Sequence, residues 1–193
     1  MRNPATRLLL LSLLLSASGA AFAHPGHNAS GLAAGLAHPF LGLDHLLAMA
    51  AVGLWAAQGG GAKMWLLPAA FMAALAAGAG AALHGPALGL LETGIAASVL
   101  ALGLLIALSL QPPPWLGAAL AALFGLLHGY AHGLELPESA APLQYALGFL
   151  AATAALHLCG IAIGAAARPR HAALNRMMGM AIAASGAYLL ASA

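Results

Sequence analysis

The chain has 193 residues, of which 63% are hydrophobic and only 5% charged, with a mean hydropathy of +0.95. A soluble domain is about a quarter charged, so this composition excludes an ordinary globular protein and points to an all-α polytopic membrane protein. The pI of about 9.1 rests on six basic against four acidic residues, too few for a nucleic-acid footprint. Its single cysteine, Cys159, excludes an internal disulfide and any multi-cysteine metal site. Nine histidines, nearly as many as all charged residues together, are the informative part of the composition.

Residues 1–23 read as a cleaved signal peptide. Arg2 and Arg7 make a basic start, 8–15 an apolar run, and Ala21-Phe22-Ala23 a small-x-small cleavage site. The alternative is an uncleaved first spanning helix, for which the apolar run is short. Cleavage after Ala23 leaves His24-Pro25-Gly26-His27 as the mature N-terminus, outside the cell membrane. His24, with its ring and α-amino group, and His27 beside it would form a weak metal-collecting site.

Six apolar runs follow, at 32–57, 64–83, 87–110, 115–133, 143–167 and 174–191, each near the ~20 residues that cross a bilayer. The breaks between them are short, which makes successive helices antiparallel neighbours. Residues 24–193 are therefore expected to form one bundle of six transmembrane helices. With the mature N-terminus outside, the first, third and fifth loops face the cytoplasm. They hold Lys63, Arg168, Arg170 and Arg176, while Glu135 and Glu138 fall outside. This is the positive-inside pattern of a multi-pass protein of a bacterial-type cytoplasmic membrane, both mature termini being extracytoplasmic. Glycines spaced four apart, at Gly31–Gly35, Gly125–Gly129–Gly133 and Gly160–Gly164, let helix backbones approach closely. The run GGGAK at 59–63 lacks the phosphate-loop pattern, so no ATP site is expected.

Polar groups inside such spans are expensive and mark function. In HPFLGLDHLLAM, residues 38–49, His38, His45 and Met49 fall within about 20° of one stripe on a regular helix. Asp44 points elsewhere unless Pro39 breaks the helix and brings it round as a ligand. Otherwise Asp44 fixes the tautomer of a histidine. Helix-cap or interhelix hydrogen bonds are the alternative for these groups. In HGYAHGLE, residues 128–135, His128 and His132 share a face one turn apart, well spaced for a common metal. Glu135 continues that stripe beyond the span.

Glu92 is the one acidic residue expected inside the second to sixth spans, roughly 6–8 Å in from the outside. A lone buried carboxylate protonates or pairs, and with no Lys or Arg inside the spans an external cation is the natural partner. A neutral Glu92 bonded to a neighbouring helix is the alternative. His157 lies deep in the fifth span, either an inner station on a path or a buried histidine bonded to a carbonyl. His84, before Gly85-Pro86, is a mouth ligand or a cap; His171 is solvated and Cys159 packs. His38, Asp44, His45, Glu92, His128 and His132 thus gather in the outer half of the membrane, and nitrogen and carboxylate ligands without thiolates suit Ni²⁺, Co²⁺ or Zn²⁺.

From His24 to the C-terminus the sequence closely resembles the HupE/UreJ family, through HPFLGLDHLLAM, ETGIAASVLALG, LHGYAHGLE, GFLAATAALH and GAYLL. The resemblance implies a secondary permease that takes up nickel, or cobalt, with no prosthetic group and no enzyme activity. It places His38, Asp44, His45, Glu92, His128 and His132 on the metal path. His38, Asp44 and His45 also resemble the His-x4-Asp-His signature of nickel/cobalt transporters, with one residue more. Two rivals use the same residue types: an intramembrane metal-dependent hydrolase with Glu92 as general base, and a haem-binding membrane subunit with paired histidines as axial ligands.

Overall fold

The structure, a computed structural model, describes residues 31–136, 141–167 and 172–193. The expected signal peptide, His24 and His27 lie outside the described residues, as do Glu138, Arg168, Arg170 and His171. The described residues form seven α-helices and no strand: α1 Gly31–Ala37, α2 Leu43–Gly59, α3 Lys63–Ala82, α4 Leu91–Ala107, α5 Pro114–Leu134, α6 Pro142–Ala167 and α7 Ala172–Ser192. Three of them, α3, α5 and α6, are each long and apolar enough to cross a bilayer. The α1–α2 pair makes a fourth if its two halves count as one span.

That pair corrects the expected continuous helix over 32–57. The helix stops at Ala37, a 3-10 turn covers His38–Phe40, and α2 leaves at 80° to the first half. The cause is local. Pro39 has no N–H for the helix ladder and its ring clashes with the preceding turn. Gly42, in extended conformation at φ −101° and ψ 123°, then restarts the chain as the N-cap of α2. His38 and His45 consequently sit on different helical segments rather than on one stripe.

The third expected run also shortens. Helix α4 begins at Leu91 and spans 17 residues, about 26 Å against a hydrocarbon core of about 30 Å. Its C-terminal end is tied down by side chains from three other helices. Trp55 Nε1 donates to Leu110 O at 3.0 Å, Gln58 Nε2 to Ile106 O at 3.2 Å, Lys63 Nζ to Pro112 O at 2.7 Å and Arg176 Nε to Ala107 O at 3.1 Å. These bonds fix the end of α4 and the turn that follows it to the neighbouring helices.

Packing follows the glycines. Helices α3 and α5 lie together, as do α4 and α7, and α6 runs against both α1 and α2. A Cβ at Gly125 would strike the Phe71 carbonyl and one at Gly129 the Leu75 carbonyl, so α5 rides directly on the α3 backbone. Gly53 meets the His157 carbonyl and Gly160 that of Ala50, bringing α2 equally close to α6. In lipid, where no hydrophobic effect drives helices together, such backbone contact is what holds a bundle. Its consequence for the site is that α2, α5 and α6 all reach the bundle interior, each carrying histidines there. Cys159 is exposed on the outside of the bundle instead of packing within it.

Candidate functional site

The bend in α1–α2 aims His38 and His45 at the last two turns of α5. Four imidazoles meet there. Ring centroids lie 4.7 Å apart for His38 and His132, 4.4 Å for His45 and His132, 4.9 Å for His45 and His128, and 6.3 Å for His38 and His45. His128 and His132 are wholly buried and His45 nearly so, at 6% exposure. Phe71 and Phe149 wall the cluster: Phe149 stacks on His132 at 5.0 Å and Phe71 lies 5.9 Å from His128.

Three of the four rings are held through one nitrogen. At the start of α2, Asp44 Oδ1 accepts the backbone N–H of His45 and its ring Nδ1–H, each at 2.8 Å. The first bond satisfies an orphan donor of the helix N-terminus, where a carboxylate is also favoured by the helix dipole. The second fixes the tautomer of His45 and leaves Nε2, buried and without a protein partner, as the free nitrogen. Asp44 thus lies against His45 Nδ1, where a group that orients the ring would stand.

His128 is set in a similar way from α4. Ser98 Oγ lies 2.7 Å from the Ile95 carbonyl and 2.9 Å from His128 Nε2. A hydroxyl has one proton, and with that proton on the carbonyl, Ser98 accepts the Nε2–H of His128. Nδ1, also buried and without a protein partner, is then the lone-pair nitrogen. The Ser98 hydroxyl thus reaches His128 from another helix, a contact that only the tertiary structure reveals.

At the outer edge, His38 Nε2 and Glu135 Oε2 are 2.8 Å apart, the imidazole 22% and the carboxylate 48% exposed. Glu135 caps the C-terminus of α5, where a negative charge opposes the helix dipole. The hydrogen bond from His38 nevertheless holds its carboxyl below the ordinary glutamate range. One ligand atom each from His38, His132 and Glu135 lies within 4.8 Å of the others, close enough for all three to hold one ion.

Glu92 departs from its expected place. It stands in the first turn of α4 and is exposed rather than buried within a span, because the helix starts later than the apolar run. It still faces the site. With His38, Asp44, His45 and Glu135 it lines a cleft of about 300 Å³ at the end of the bundle. A second cleft, of about 350 Å³, is shared by Asp44 and Glu92 with the C-terminal end of α7. His84, just past α3, is exposed and lines neither cleft. Met49, one turn below His45, is fully buried, with Thr153 Oγ1 3.3 Å from its sulfur.

Deeper along the bundle, His157 on α6 is 2% exposed; its ring interacts with the Thr153 backbone one turn before it but makes no well-formed hydrogen bond among the described residues. Phe71 separates it from the cluster, 5.2 Å from His157 and 5.9 Å from His128. An unpartnered buried polar group costs about 1–3 kcal/mol, so packing alone is a poor reason for imidazoles at His45, His128 and His132. At the opposite end of the bundle a polar cleft of about 180 Å³ is lined by Gln58, Ser109, Gln111 and Asn175. Neither this cleft nor the aromatic walls carried a signal in the sequence, since Phe, Asn and Gln at these places read equally well as packing and loop.

Comparison with known proteins gives a consistent placement. The profile of the family described as HupE / UreJ protein matches residues 11–189. Protein HupE of Rhizobium leguminosarum bv. viciae is 43% identical over 171 residues, covering 88% of this chain and 90% of that one. No solved structure matches the chain significantly.

Proposed function

Because the chain belongs to the HupE/UreJ family, we propose that it is a secondary permease that takes up a divalent transition metal, nickel or cobalt, across the cytoplasmic membrane. The observation that carries this reading is the convergence of His38, His45, His128 and His132, with one nitrogen of His45 held by Asp44 and one of His128 by Ser98. Imidazoles held through one nitrogen present the other to a metal, and neutral nitrogen with carboxylate suits these ions.

The path runs inward. Glu92, Glu135 and His38 attract and receive the cation at the cleft, with His24 and His27 of the mature N-terminus as a collecting site before it. His45, His132 and His128 strip its water, and His157 receives it beyond Phe71. Met49 serves at the margin, as a soft contact below His45, whereas His84 lies away from both clefts. Graded depth, from exposed Glu92 and Glu135 to buried His157, suits passage better than a hydrolytic centre gathered at one depth. Two neighbouring imidazoles on one helix suit it better than haem, whose axial ligands face each other across the ring.

The membrane frame is six spans after a cleaved signal peptide: the bent α1–α2 pair, α3, α4, α5, α6 and α7. In support, α4 and α7 pack along each other through Gly103, Gly179 and Gly186, and α7 has 21 residues, about 32 Å. Purified protein reconstituted in liposomes tests the function. It should carry radioactive nickel inward down a concentration gradient; vesicles no more permeable than protein-free ones would refute it.

A further inference from the structure

Three imidazoles of the outer cluster have one nitrogen held, His38 by Glu135, His45 by Asp44 and His128 by Ser98. His132 is the exception: it is wholly buried, and neither ring nitrogen has a partner among the described residues. A histidine that binds metal nearly always donates its other N–H to an oxygen, which fixes its tautomer and its ring orientation. One element of the site is therefore missing.

A second orphan sits on the same wall. Tyr145, in the first turn of α6, is 2% exposed, and its hydroxyl is buried without a partner among the described residues. Buried tyrosine hydroxyls usually find one. Its ring stands edge-on to His38 at 5.6 Å, and His38 is 4.7 Å from His132. His132 and Tyr145 also line one cavity of about 230 Å³ between α3, α5 and α6, and among the described residues theirs are the only polar side chains in its lining. The cavity has room for water, at about 30 Å³ each, and among the described residues its apolar walls offer such a water no other side-chain partner.

We propose that Tyr145 is the positioning residue of His132: with the cation bound, its hydroxyl accepts the His132 N–H, directly or through one water, and so presents the other ring nitrogen to the metal. The inference rests on the uptake reading and adds to it a residue that neither the motifs nor their spacing single out. No bond is made or broken, and Tyr145 does not itself touch the cation.

The test is Tyr145→Phe in the full-length protein, which removes the hydroxyl and keeps the ring against His38 and Phe149. Nickel Kd by equilibrium dialysis and KM for uptake should both rise about 10-fold or more, in the range typical of such orienting groups, with maximal rate and membrane abundance retained. In a His132→Ala background the same substitution should add nothing, because the partner through which it acts is gone. A Tyr145→Phe protein with wild-type Kd would overturn the inference, as would a lowered maximal rate at unchanged Kd, or a full additional effect on top of His132→Ala. A wild-type protein that binds neither nickel nor cobalt would instead bring down the uptake reading, and this inference with it.

Discussion

Asp44 and His45 act as one unit at the start of α2, a carboxylate that takes both the backbone and the ring N–H of its neighbour. Asp44→Asn keeps an oxygen acceptor but removes the charge that makes the imidazole a stronger ligand. Nickel affinity, read by equilibrium dialysis, should fall about 10–100-fold; a loss of all binding would make Asp44 a ligand itself. Glu135 calls for a different expectation. It carries the charge that the His38 hydrogen bond favours in the folded protein, so Glu135→Gln should weaken metal capture, read by equilibrium dialysis. Because His38 lowers the carboxyl below its usual range, the charge is present above the ordinary glutamate value and is lost only on acidification beyond it. Glu135 accordingly stays ionised through mild acid.

At the level of elements, the break between α1 and α2 makes the site. Gly42 adopts an extended conformation open to any residue, so its importance is one of space. A Cβ there would stand 2.7 Å from Asp44 Oδ1 and 3.1 Å from His45 Nδ1. Gly42→Ala should therefore push Asp44 off His45 and reduce nickel affinity in the manner of Asp44→Asn, with normal membrane insertion; unchanged affinity would show that the pair relaxes freely. Much of this region is legible in sequence. The proline beside His38 signalled a possible break, and the one-turn spacing of His128 and His132 placed both on one face. The direction of the bend was not legible, because it depends on how α1 and α2 each seat against α6 through Gly35 and Gly53. Glu92 was misplaced for a related reason: the residues before Leu91 are apolar enough to read as helix but do not form it. The hydroxyls of Ser98 and Tyr145 acquire their places only through contacts between helices distant in sequence, to which periodicity is blind.

For the molecule as a whole, the bundle carries metal-type ligands at one end and a ring of side chains capping α4 at the other. Six spans require these ends to face opposite sides of the membrane. Single cysteines at Ala62 and Ser139, in a Cys159→Ser background, should react with an impermeant reagent from the cytoplasmic and the outer side respectively; reaction from one side only would overturn the six-span map. The function itself stands or falls on the buried imidazoles. Radioactive nickel uptake at limiting concentration, by cells with equal membrane abundance of each protein, compares wild type with His45→Ala, His128→Ala and the loop control His171→Ala. Each of the first two should lose most of the uptake, since each removes a held imidazole from a shared site, while the control stays near wild type. Normal uptake by both His45→Ala and His128→Ala would contradict a metal path through this cluster.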